Sequence, residues 1–583
     1  MGWTPLRRAG AFPAGAAIAL MLIALLVMGA AATMRSAEYD ESYTALVTSP
    51  EPRPEWTRLV TTPSELLPAF DRVAPVATTS GNLKATDVHP PLYFWAVGLL
   101  REAGGTSLAA QRGFSIALSL GAVLAWLVAF WRAGLPPVAA TLLMVLAYGF
   151  AYTGHVARGF ALAHLLLALC AVGAVEAWRR RAAAPAFLAG GAGGLAVLAN
   201  YLAVFPAAGV LAWMVLAPGL RFGERTRLAI AGALPAGAVG LAAAPYFLAQ
   251  RGARPEQFEA FSPLAALQLL AQFNAANVFG GLPLYVEGPG RLAVGFALLG
   301  LAGLVALLCV LRWRQIGPTR WLWLLGLAAP SAGLLALGAM AGNLPIELRY
   351  LAFAAPFAAA LAAGGLAALA EQRPRLARLA FAVLVAVQAA GAAGMVLHPA
   401  TRQAHRDALT ALDPHLGPGS LLLAPYGNDG VGLLGATLRE APPRQPMLVL
   451  RLDDAAEAPA RAAGYDRVVL LGIGERDGRA QAAAAREALA ASPEWRLAAE
   501  PWADARRGFF SAVFTRAGTP SGMPDRAEGV VAGNADQGGE EAQRVGAAAV
   551  GERAPLHFLR EQVGMLRERL RRAAHRLSGE DQL

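Results

Sequence analysis

Two short segments near the N-terminus carry the residue types best suited to chemistry. The first is Glu38-Tyr-Asp40-Glu41, which places three carboxylates directly after an apolar run. A carboxylate can take the proton from an attacking hydroxyl group. Because adjacent side chains point in different directions on a helix or a strand, Asp40 and Glu41 are expected to have separate roles. We predict that Asp40 is a base and that Glu41 binds or orients; simple solvation of these carboxylates is the alternative.

The second segment, residues 84–94, reads KATDVHPPLYF and begins with Lys84, the only lysine of the chain. Its two adjacent prolines fix the local backbone, so Asp87 and His89 are expected to be held in place. The pair could bind a phosphate or contribute to a metal site, whereas a packed turn is the alternative. The aromatic residues that follow are predicted to begin a helix at the membrane interface.

The composition indicates the environment of these segments. Of 583 residues, 56% are hydrophobic and only 15% are charged, against about 25% charged in average soluble domains. The formal charge of +10 arises from arginines in short clusters between apolar runs, which argues against a nucleic-acid surface. Cys170 and Cys309 both lie in apolar runs, which predicts neither a disulfide framework nor a thiolate metal site.

The apolar runs predict a polytopic α-helical membrane protein. The first run follows Arg7 and Arg8 and exceeds the roughly 7–15 apolar residues of a signal-peptide core, so we predict a retained helix. A polar break at Asn200-Tyr201 separates two closely spaced runs. Eleven spans are predicted, near residues 14–33, 113–131, 137–154, 160–177, 185–200, 202–218, 228–249, 291–311, 321–341, 350–370 and 378–397.

The arginine clusters predict how these spans are oriented. With the N-terminus inside, nearly all short arginine clusters fall in cytoplasmic connections, as the positive-inside rule requires. These connections contain Arg132, Arg179, Arg180, Arg181, Arg221, Arg225, Arg227, Arg312, Arg314, Arg320, Arg373, Arg375 and Arg378. The outer side then receives a loop over 34–112, a second over 250–290 and everything after residue 398. We therefore expect a multi-pass protein of the cytoplasmic (inner) membrane, with a transmembrane catalytic domain over 1–399.

The C-terminal region differs in character. Short strands are predicted at 421–426, 446–452, 466–473 and 508–515, with helical patterns between them. They indicate a small extracytoplasmic α/β domain over 400–516, expected to recognise an acceptor or a partner. Residues 517–553 are predicted to be a disordered linker. Residues 554–583 form an amphipathic pattern that fits self-association as a coiled coil, a membrane-surface helix or an isolated solvated helix.

Several elements together carry a resemblance to a known family. They are Asp40-Glu41 after the first helix, His89-Pro-Pro-Leu-Tyr-Phe, Arg112 before the second span, His155-Val-Ala-Arg158-Gly-Phe160, and Arg349-Tyr350 followed by Pro356. Over roughly residues 10–400 the chain resembles the GT-C glycosyltransferases of the protein O-mannosyltransferase and aminoarabinose transferase superfamily, which includes glycosyltransferase family 39. Phe160 stands where many members have tyrosine.

The resemblance implies a GT-C-like fold and transfer of a sugar from a polyprenyl-phosphate donor, with inversion, to a lipid, glycan or protein acceptor outside the membrane. Asp40 would be the base and Glu41 its partner in binding acceptor or metal. The implied cations for the donor phosphate are Lys84, Arg112, Arg158 and Arg349. The implied residues for substrate or metal are Asp87, His89 and Tyr350. A divalent metal, Mg or Mn, stays open because some members use one and others do not.

Two other classes of function remain as alternatives. A transporter or flippase needs polar groups in mid-membrane helices, for which Asn200 and His164 are the nearest candidates. No internal repeat supports that class. A nonenzymatic envelope-assembly protein would use the C-terminal domain and the terminal helix instead.

Overall fold

The computed structural model describes residues 13–251, 258–286, 288, 290–397, 404–474, 476–504 and 508–518. The terminal helix predicted over 554–583 and all but the first two residues of the predicted linker lie outside this range. The chain divides into two compact units. The transmembrane unit comprises Met1–Pro54 and Leu67–Ala404, and the C-terminal unit comprises Glu55–Leu66 and His405–Leu583.

Helices dominate the described residues. The α-helices are α1 Ala14–Met34, α2 Tyr39–Val47, α3 Pro63–Leu66, α4 Pro68–Asp71, α5 Val76–Thr86, α6 Leu92–Glu102, α7 Leu108–Arg132, α8 Pro137–Val145, α9 Tyr148–His155, α10 Phe160–Arg180, α11 Ala183–Ala199, α12 Val204–Leu216, α13 Phe222–Gln250, α14 Pro263–Val278, α15 Gly290–Leu311, α16 Arg320–Ala341, α17 Ala355–Ala370, α18 Pro374–Leu397, α19 His405–Leu412, α20 Gly432–Glu440, α21 Ala458–Arg461 and α22 Arg476–Ala491. Short 3-10 helices cover Tyr201–Ala203, Leu282–Leu284, Leu348–Ala354, Asp413–His415 and Ala455–Glu457.

The predicted polytopic helical fold is confirmed. Among the described residues, eight helices are long and apolar enough to cross a membrane, and α8 with α9 forms a ninth candidate bent by 63°. The shorter apolar helices Ala183–Ala199 and Tyr201–Leu216 account for the remaining two predicted spans. The predicted break between them is present, because Asn200 is extended and its side chain accepts a hydrogen bond from the backbone N–H of Leu202 at 3.1 Å.

An aromatic cluster lies at the centre of the transmembrane unit. The Trp126 ring of α7 packs edge-on against Phe357 of α17, with ring centroids 5.2 Å apart. Phe130 connects Trp126 to Trp323 of α16, at 5.6 Å from each. All four side chains are fully buried. Within a bilayer the hydrophobic effect does not drive helices together, so their association depends on packing. Edge-to-face and offset aromatic pairs contribute to the packing of these three helices.

Small residues allow α11 and α13 to cross closely. A Cβ atom added to Gly190 of α11 would lie 1.9 Å from the carbonyl oxygen of Gly232 in α13. No side chain fits at that distance, so glycine at position 190 is what lets the two backbones touch. Such close approach is a common way to pack helices within a bilayer.

Arginines and glutamates gather at the end of the bundle where α7 and α10 finish. Glu176 pairs with Arg132 and, at 2.7 Å, with Arg180, while Arg181 lies 3.0 Å from Glu224. The sequence analysis assigned these arginines to cytoplasmic connections. Arg112, at the start of α7, is 20 residues from Arg132, which corresponds to about 30 Å along a helix and to the thickness of the hydrocarbon core.

The C-terminal unit contains the predicted small α/β structure. Its strands are β1 Ser420–Pro425, β2 Met447–Leu450, β3 Arg467–Gly472, β4 Trp495–Ala499, β5 Ala503–Asp504 and β6 Phe509–Arg516. The strand order is β2-β1-β3-β6-β4, with β5 paired to β6. β1 runs parallel to β2 and β3, whereas β6 is antiparallel to its neighbours. Apolar side chains of α22 pack on the sheet around buried Leu421 and Leu423.

Residues 55–66 belong to this unit, although the sequence analysis placed them in the first outer loop. Thr61 exchanges backbone hydrogen bonds with Met447 of β2 at 2.9 and 2.8 Å. Trp56 is buried and donates its indole N–H to the carbonyl of Gly430 at 2.6 Å. An edge strand leaves its backbone groups unpaired, and this segment covers part of the edge of β2.

Candidate functional site

The site is built around α2, which begins immediately after the first span. Glu38 precedes the helix, and its backbone N–H donates to the Glu41 carboxylate at 2.8 Å. This reciprocal arrangement at the first turn is a capping box, which satisfies N–H groups that have no partner within the helix. The same spacing of acidic residues that suggested chemistry therefore also starts the helix.

Glu41 is fully buried and binds Arg112 in a bidentate ion pair. Arg112 donates from Nε to Oε1 at 2.8 Å and from Nη2 to Oε2 at 2.6 Å. The backbone N–H of Ala157 donates to Oε1 at 3.0 Å. Arg112 also donates to the backbone carbonyls of Ala32 at 2.6 Å and Ser36 at 2.7 Å. The pair thus ties together α1, α2, α7 and the connection between α9 and α10.

The surroundings of Glu41 favour its charged form. Burial alone would raise the pKa of Glu41, but the Arg112 guanidinium and the backbone N–H groups of Ala157 and Glu38 outweigh burial and hold that pKa below its ordinary value. Both carboxylate oxygens already accept two hydrogen bonds each. The geometry therefore leaves Glu41 suited to holding α2 in place.

Asp40 faces a different direction, as expected for the adjacent residue. Its side chain is partly exposed, at 18%, and Oδ2 pairs with Nη1 of Arg349. Nε of Arg349 lies 2.8 Å from Glu347 Oε2, and the guanidinium lies over the Tyr350 ring at 5.4 Å. The structure therefore brings together three residues predicted from the sequence, Asp40, Arg349 and Tyr350.

Helix α14 positions the segment that carries Arg349. That residue belongs to the 3-10 helix Leu348–Ala354, which precedes α17. Asn277 of α14 is fully buried and donates to the carbonyl of Leu351 at 2.6 Å. A Cβ atom at Gly149 of α9 would collide with both Asn277 and the backbone of Ala352, so this glycine permits the close contact of three elements.

Asp87, His89 and Arg158 form a second polar group. His89 Nδ1 lies 2.7 Å from Asp87 Oδ1 and 3.1 Å from Arg158 Nη2. Arg158 Nη2 is 3.4 Å from Asp87 Oδ2, and its guanidinium lies 5.2 Å from the centre of the Phe94 ring. Asp87 and Arg158 are buried, whereas the His89 side chain is 29% exposed. His89 is thus the member of this group that solvent or a ligand reaches.

The charge of Asp87 is stabilised in the same way as that of Glu41. Burial alone would raise the pKa of Asp87, but the Arg158 charge, His89 and the backbone N–H of Val88 together hold that pKa well below its usual range. Gln250 of α13 fixes the loop from behind by donating to the carbonyls of Leu83 at 3.0 Å and His89 at 2.9 Å.

Thr44 joins the two polar groups, and the sequence analysis missed it. Its hydroxyl donates to the carbonyl of Ala157 at 2.8 Å and accepts from Arg158 Nη1 at 3.3 Å. Asp40 and Thr44 are four residues apart in α2 and therefore share one face. Arg349 and Arg158 thus approach adjacent turns of a single helix face. The four-residue spacing between Asp40 and Thr44 is the sequence signal that could have predicted that Thr44 belongs to the site.

Two further cations differ from the rest in their placement. Lys84 is exposed, and its ammonium lies 4.8 Å from the centre of the Tyr246 ring, so the structure does not bring it into the Asp87 group. Arg35, which sequence reasoning missed, is fully buried, pairs with Glu38 at 2.7 Å and lies 5.0 Å from the Tyr152 ring centre. An arginine directly after an apolar run is typical of a topology signal, so the sequence did not predict the packing role of Arg35.

The carboxylates of the site are each engaged with a cation. Asp40, Glu41 and Asp87 pair with Arg349, Arg112 and Arg158, respectively. Among the described residues, no group of three or more His, Cys, Asp or Glu side chains is placed to hold a metal ion. The arrangement of these described carboxylates, each paired with an arginine, therefore does not fit a divalent cation.

The residues considered for a transporter have local partners. Asn200 is buried and caps the turn that starts α12. His164 is fully buried, lies 3.2 Å from the Thr153 hydroxyl and packs against the rings of Phe150 and Phe353 at 5.0 and 4.9 Å. Both positions are explained by packing and capping.

The sequence matches no family model and no curated protein. Solved structures similar to this chain include ArnT from Cupriavidus metallidurans bound to undecaprenyl phosphate, at 15% identity and a TM-score of 0.45, covering 86% of this chain and 98% of that chain. Arabinofuranosyltransferase AftD from Mycobacteria is similar at 14% identity and a TM-score of 0.34, covering 86% of this chain and 41% of that chain.

Proposed function

We propose that this protein is a membrane glycosyltransferase that moves a sugar from a polyprenyl-phosphate donor to an acceptor hydroxyl. One observation supports the proposal: Asp40, a partly exposed carboxylate, lies on a face of α2 that two arginines approach, Arg349 at Asp40 and Arg158 at Thr44. A base for the hydroxyl and cations for the phosphate are what such a transfer requires. The acceptor class is an envelope lipid, a glycan or a protein, with a lipid or glycan favoured.

The reaction follows as a single displacement with inversion. The acceptor oxygen attacks the anomeric carbon while the bond between that carbon and the phosphate oxygen breaks. The electron pair of the broken bond stays on the polyprenyl phosphate, and the acceptor proton goes to the Asp40 carboxylate. Arg158 and Arg349 are the arginines placed to stabilise the growing negative charge on the phosphate.

The pair between Asp40 and Arg349 links donor binding to the availability of the base. While Arg349 is paired with Asp40, the guanidinium occupies a carboxylate oxygen that could take the acceptor proton. A donor phosphate competes for the same guanidinium. When Arg349 turns to the phosphate, the Asp40 carboxylate becomes available to the acceptor hydroxyl while the donor is in place.

The remaining predicted residues receive distinct roles. Glu41 and Arg112 are proposed to position α2 without touching substrate, because both are buried in their mutual pair. Asp87 is proposed to orient Arg158, and His89, the more exposed member, is proposed to contact the donor phosphate or the sugar. Tyr350 lies beside Arg349 and would contact the same ligand. Lys84 would act at most on the approach of the phosphate.

The proposed topology places this site on the outer side. The arginine cluster around Glu176 marks the cytoplasmic end of α7 and α10, so Arg112 and Arg158, at the starts of these helices, lie at the opposite end. The polyprenyl chain would lie in the bilayer with its phosphate at the water boundary. The C-terminal unit would then also be extracytoplasmic.

The test is mass spectrometry of envelope lipids and glycans from cells that lack the protein. We expect wild type and the exposed control Asp71→Asn to restore one glycosylated species, and Asp40→Asn to restore none. The variants must be present at equal levels in the membrane. Restoration by Asp40→Asn at the wild-type level would contradict the assignment of the base.

A further inference from the structure

A groove on the surface of the transmembrane unit lies far from the proposed active site. It has a volume of about 860 Å³ and lies between α11 and α13. Small residues such as Ala184 and Gly223 line it together with Phe187 and Phe222, which are 53% and 86% exposed. Exposed apolar residues face lipid in any membrane protein, so an apolar groove alone does not indicate a binding site.

Charge distinguishes this groove from ordinary lipid-facing surface. Arg227 lines it and donates to the backbone carbonyl of Arg181. Arg221 is exposed at the start of α13, and Arg181 is exposed beside Glu224. These three arginines with one glutamate leave a local excess of positive charge directly at the end of an apolar groove. The combination complements an anionic headgroup attached to an acyl chain.

The length of the apolar surface also fits one acyl chain. A second cavity of about 400 Å³ between α10 and α11 shares Phe187 with the first groove and extends to Leu195. Ala183 and Leu195 are 12 residues apart on α11, which is about 18 Å along a helix. One leaflet of a 30 Å hydrocarbon core is about 15 Å thick. An acyl chain that starts at the arginines would therefore end near the middle of the bilayer.

We propose that this groove, lined by Phe187, Phe222 and Arg227 with the small residues between them and preceded in the chain by the exposed Arg221, binds one anionic phospholipid from the leaflet on the arginine side. The headgroup phosphate lies between Arg221 and Arg227. One acyl chain runs along α11 past Phe187. The lipid holds the short helix α11 against α13 from the outside, and this role is independent of the sugar-transfer chemistry.

The test uses the full-length protein in detergent and adds phosphatidylglycerol or phosphatidylcholine. Native mass spectrometry counts the lipids retained, and thermal unfolding reports their effect. We expect one phosphatidylglycerol to be retained in preference to phosphatidylcholine and to raise the unfolding temperature. In Arg221→Gln/Arg227→Gln retention should weaken about 25-fold, since each arginine near a membrane surface contributes about 1 kcal/mol and 1.4 kcal/mol is tenfold.

Two further variants keep the proposal falsifiable. Arg373→Gln/Arg375→Gln removes two arginines from another predicted cytoplasmic connection and should retain phosphatidylglycerol as wild type does. Ala184→Trp fills the groove while keeping every arginine and should lose the lipid. Equal retention of both lipids by wild type, or undiminished phosphatidylglycerol binding by Ala184→Trp and the double glutamine variant, would overturn the proposal. Self-association through this face, seen as a dimer that lipid does not dissociate, would also overturn it.

Discussion

Glu41 and Asp40 are adjacent carboxylates, and removing the negative charge of each is expected to affect stability differently. Neutralising Glu41 should destabilise the protein more than neutralising Asp40. In Glu41→Gln the new amide presents an NH₂ group where two of the four N–H donors now point, and Arg112 keeps a buried charge without its partner. Removing one member of a buried ion pair costs about 3–5 kcal/mol. For a unit of this size, with an unfolding entropy of about 2.1 cal/mol/K per residue, that cost corresponds to a fall of roughly 4–6 °C in unfolding temperature.

Asp40→Asn is the matched control, since its ion pair with Arg349 is partly exposed. The Asp40 side chain is 18% exposed whereas that of Glu41 is fully buried, so Asp40→Asn should lower the unfolding temperature by less than Glu41→Gln does. The assay is thermal unfolding of both purified variants in one detergent, at one scan rate, followed by tryptophan fluorescence. If Glu41→Gln unfolds within 2 °C of wild type, or if Asp40→Asn is the less stable of the two, the assignment of Glu41 as a structural anchor is wrong.

Two other predictions follow from the same contacts. Acid should destabilise the protein below about pH 4, because Glu41 and Asp87 have lowered pKa values when folded and so bind protons more readily once unfolded. Asp87→Asn should make unfolding temperature less dependent on pH in this range, and an unchanged dependence would contradict the role of Asp87. Thr44→Val should raise KM for the lipid-linked donor more than it lowers kcat, because Arg158 loses its contact with the Thr44 hydroxyl. Thr44→Ser keeps the hydroxyl and should restore KM. Equal KM values for the two variants would contradict this role of Thr44.

The sequence predicted the helices well because each apolar run must be long enough to cross the bilayer. The polar residues Asp40, Asp87, His89, Arg158 and Arg349 were predicted from residue type, from the adjacent prolines and from the family resemblance. Their pairing could not be predicted, because each contact joins segments far apart in the chain.

The same limit applies to the residues that were missed. Threonine within a helix and arginine at a helix end are common, so neither Thr44 nor Arg35 stood out in the sequence. Only the folded chain shows that Thr44 contacts Arg158. The segment 55–66 lacked a strand pattern, and its attachment to the C-terminal sheet depends on partners as distant as Gly430, 374 residues from Trp56. Arg112 carried the right charge for a phosphate, but its position opposite Glu41 directs it to that carboxylate.

In the proposed reaction Asp40 acts as the base while the arginines hold the carrier phosphate. The most direct test measures polyprenyl phosphate binding and sugar transfer on the same purified samples of wild type and Asp40→Asn. The variant should bind the carrier at least as tightly as wild type, because Arg349 is released from the carboxylate, and should transfer no sugar. Sugar transfer by the variant at the wild-type rate, or loss of carrier binding together with transfer, would contradict the account.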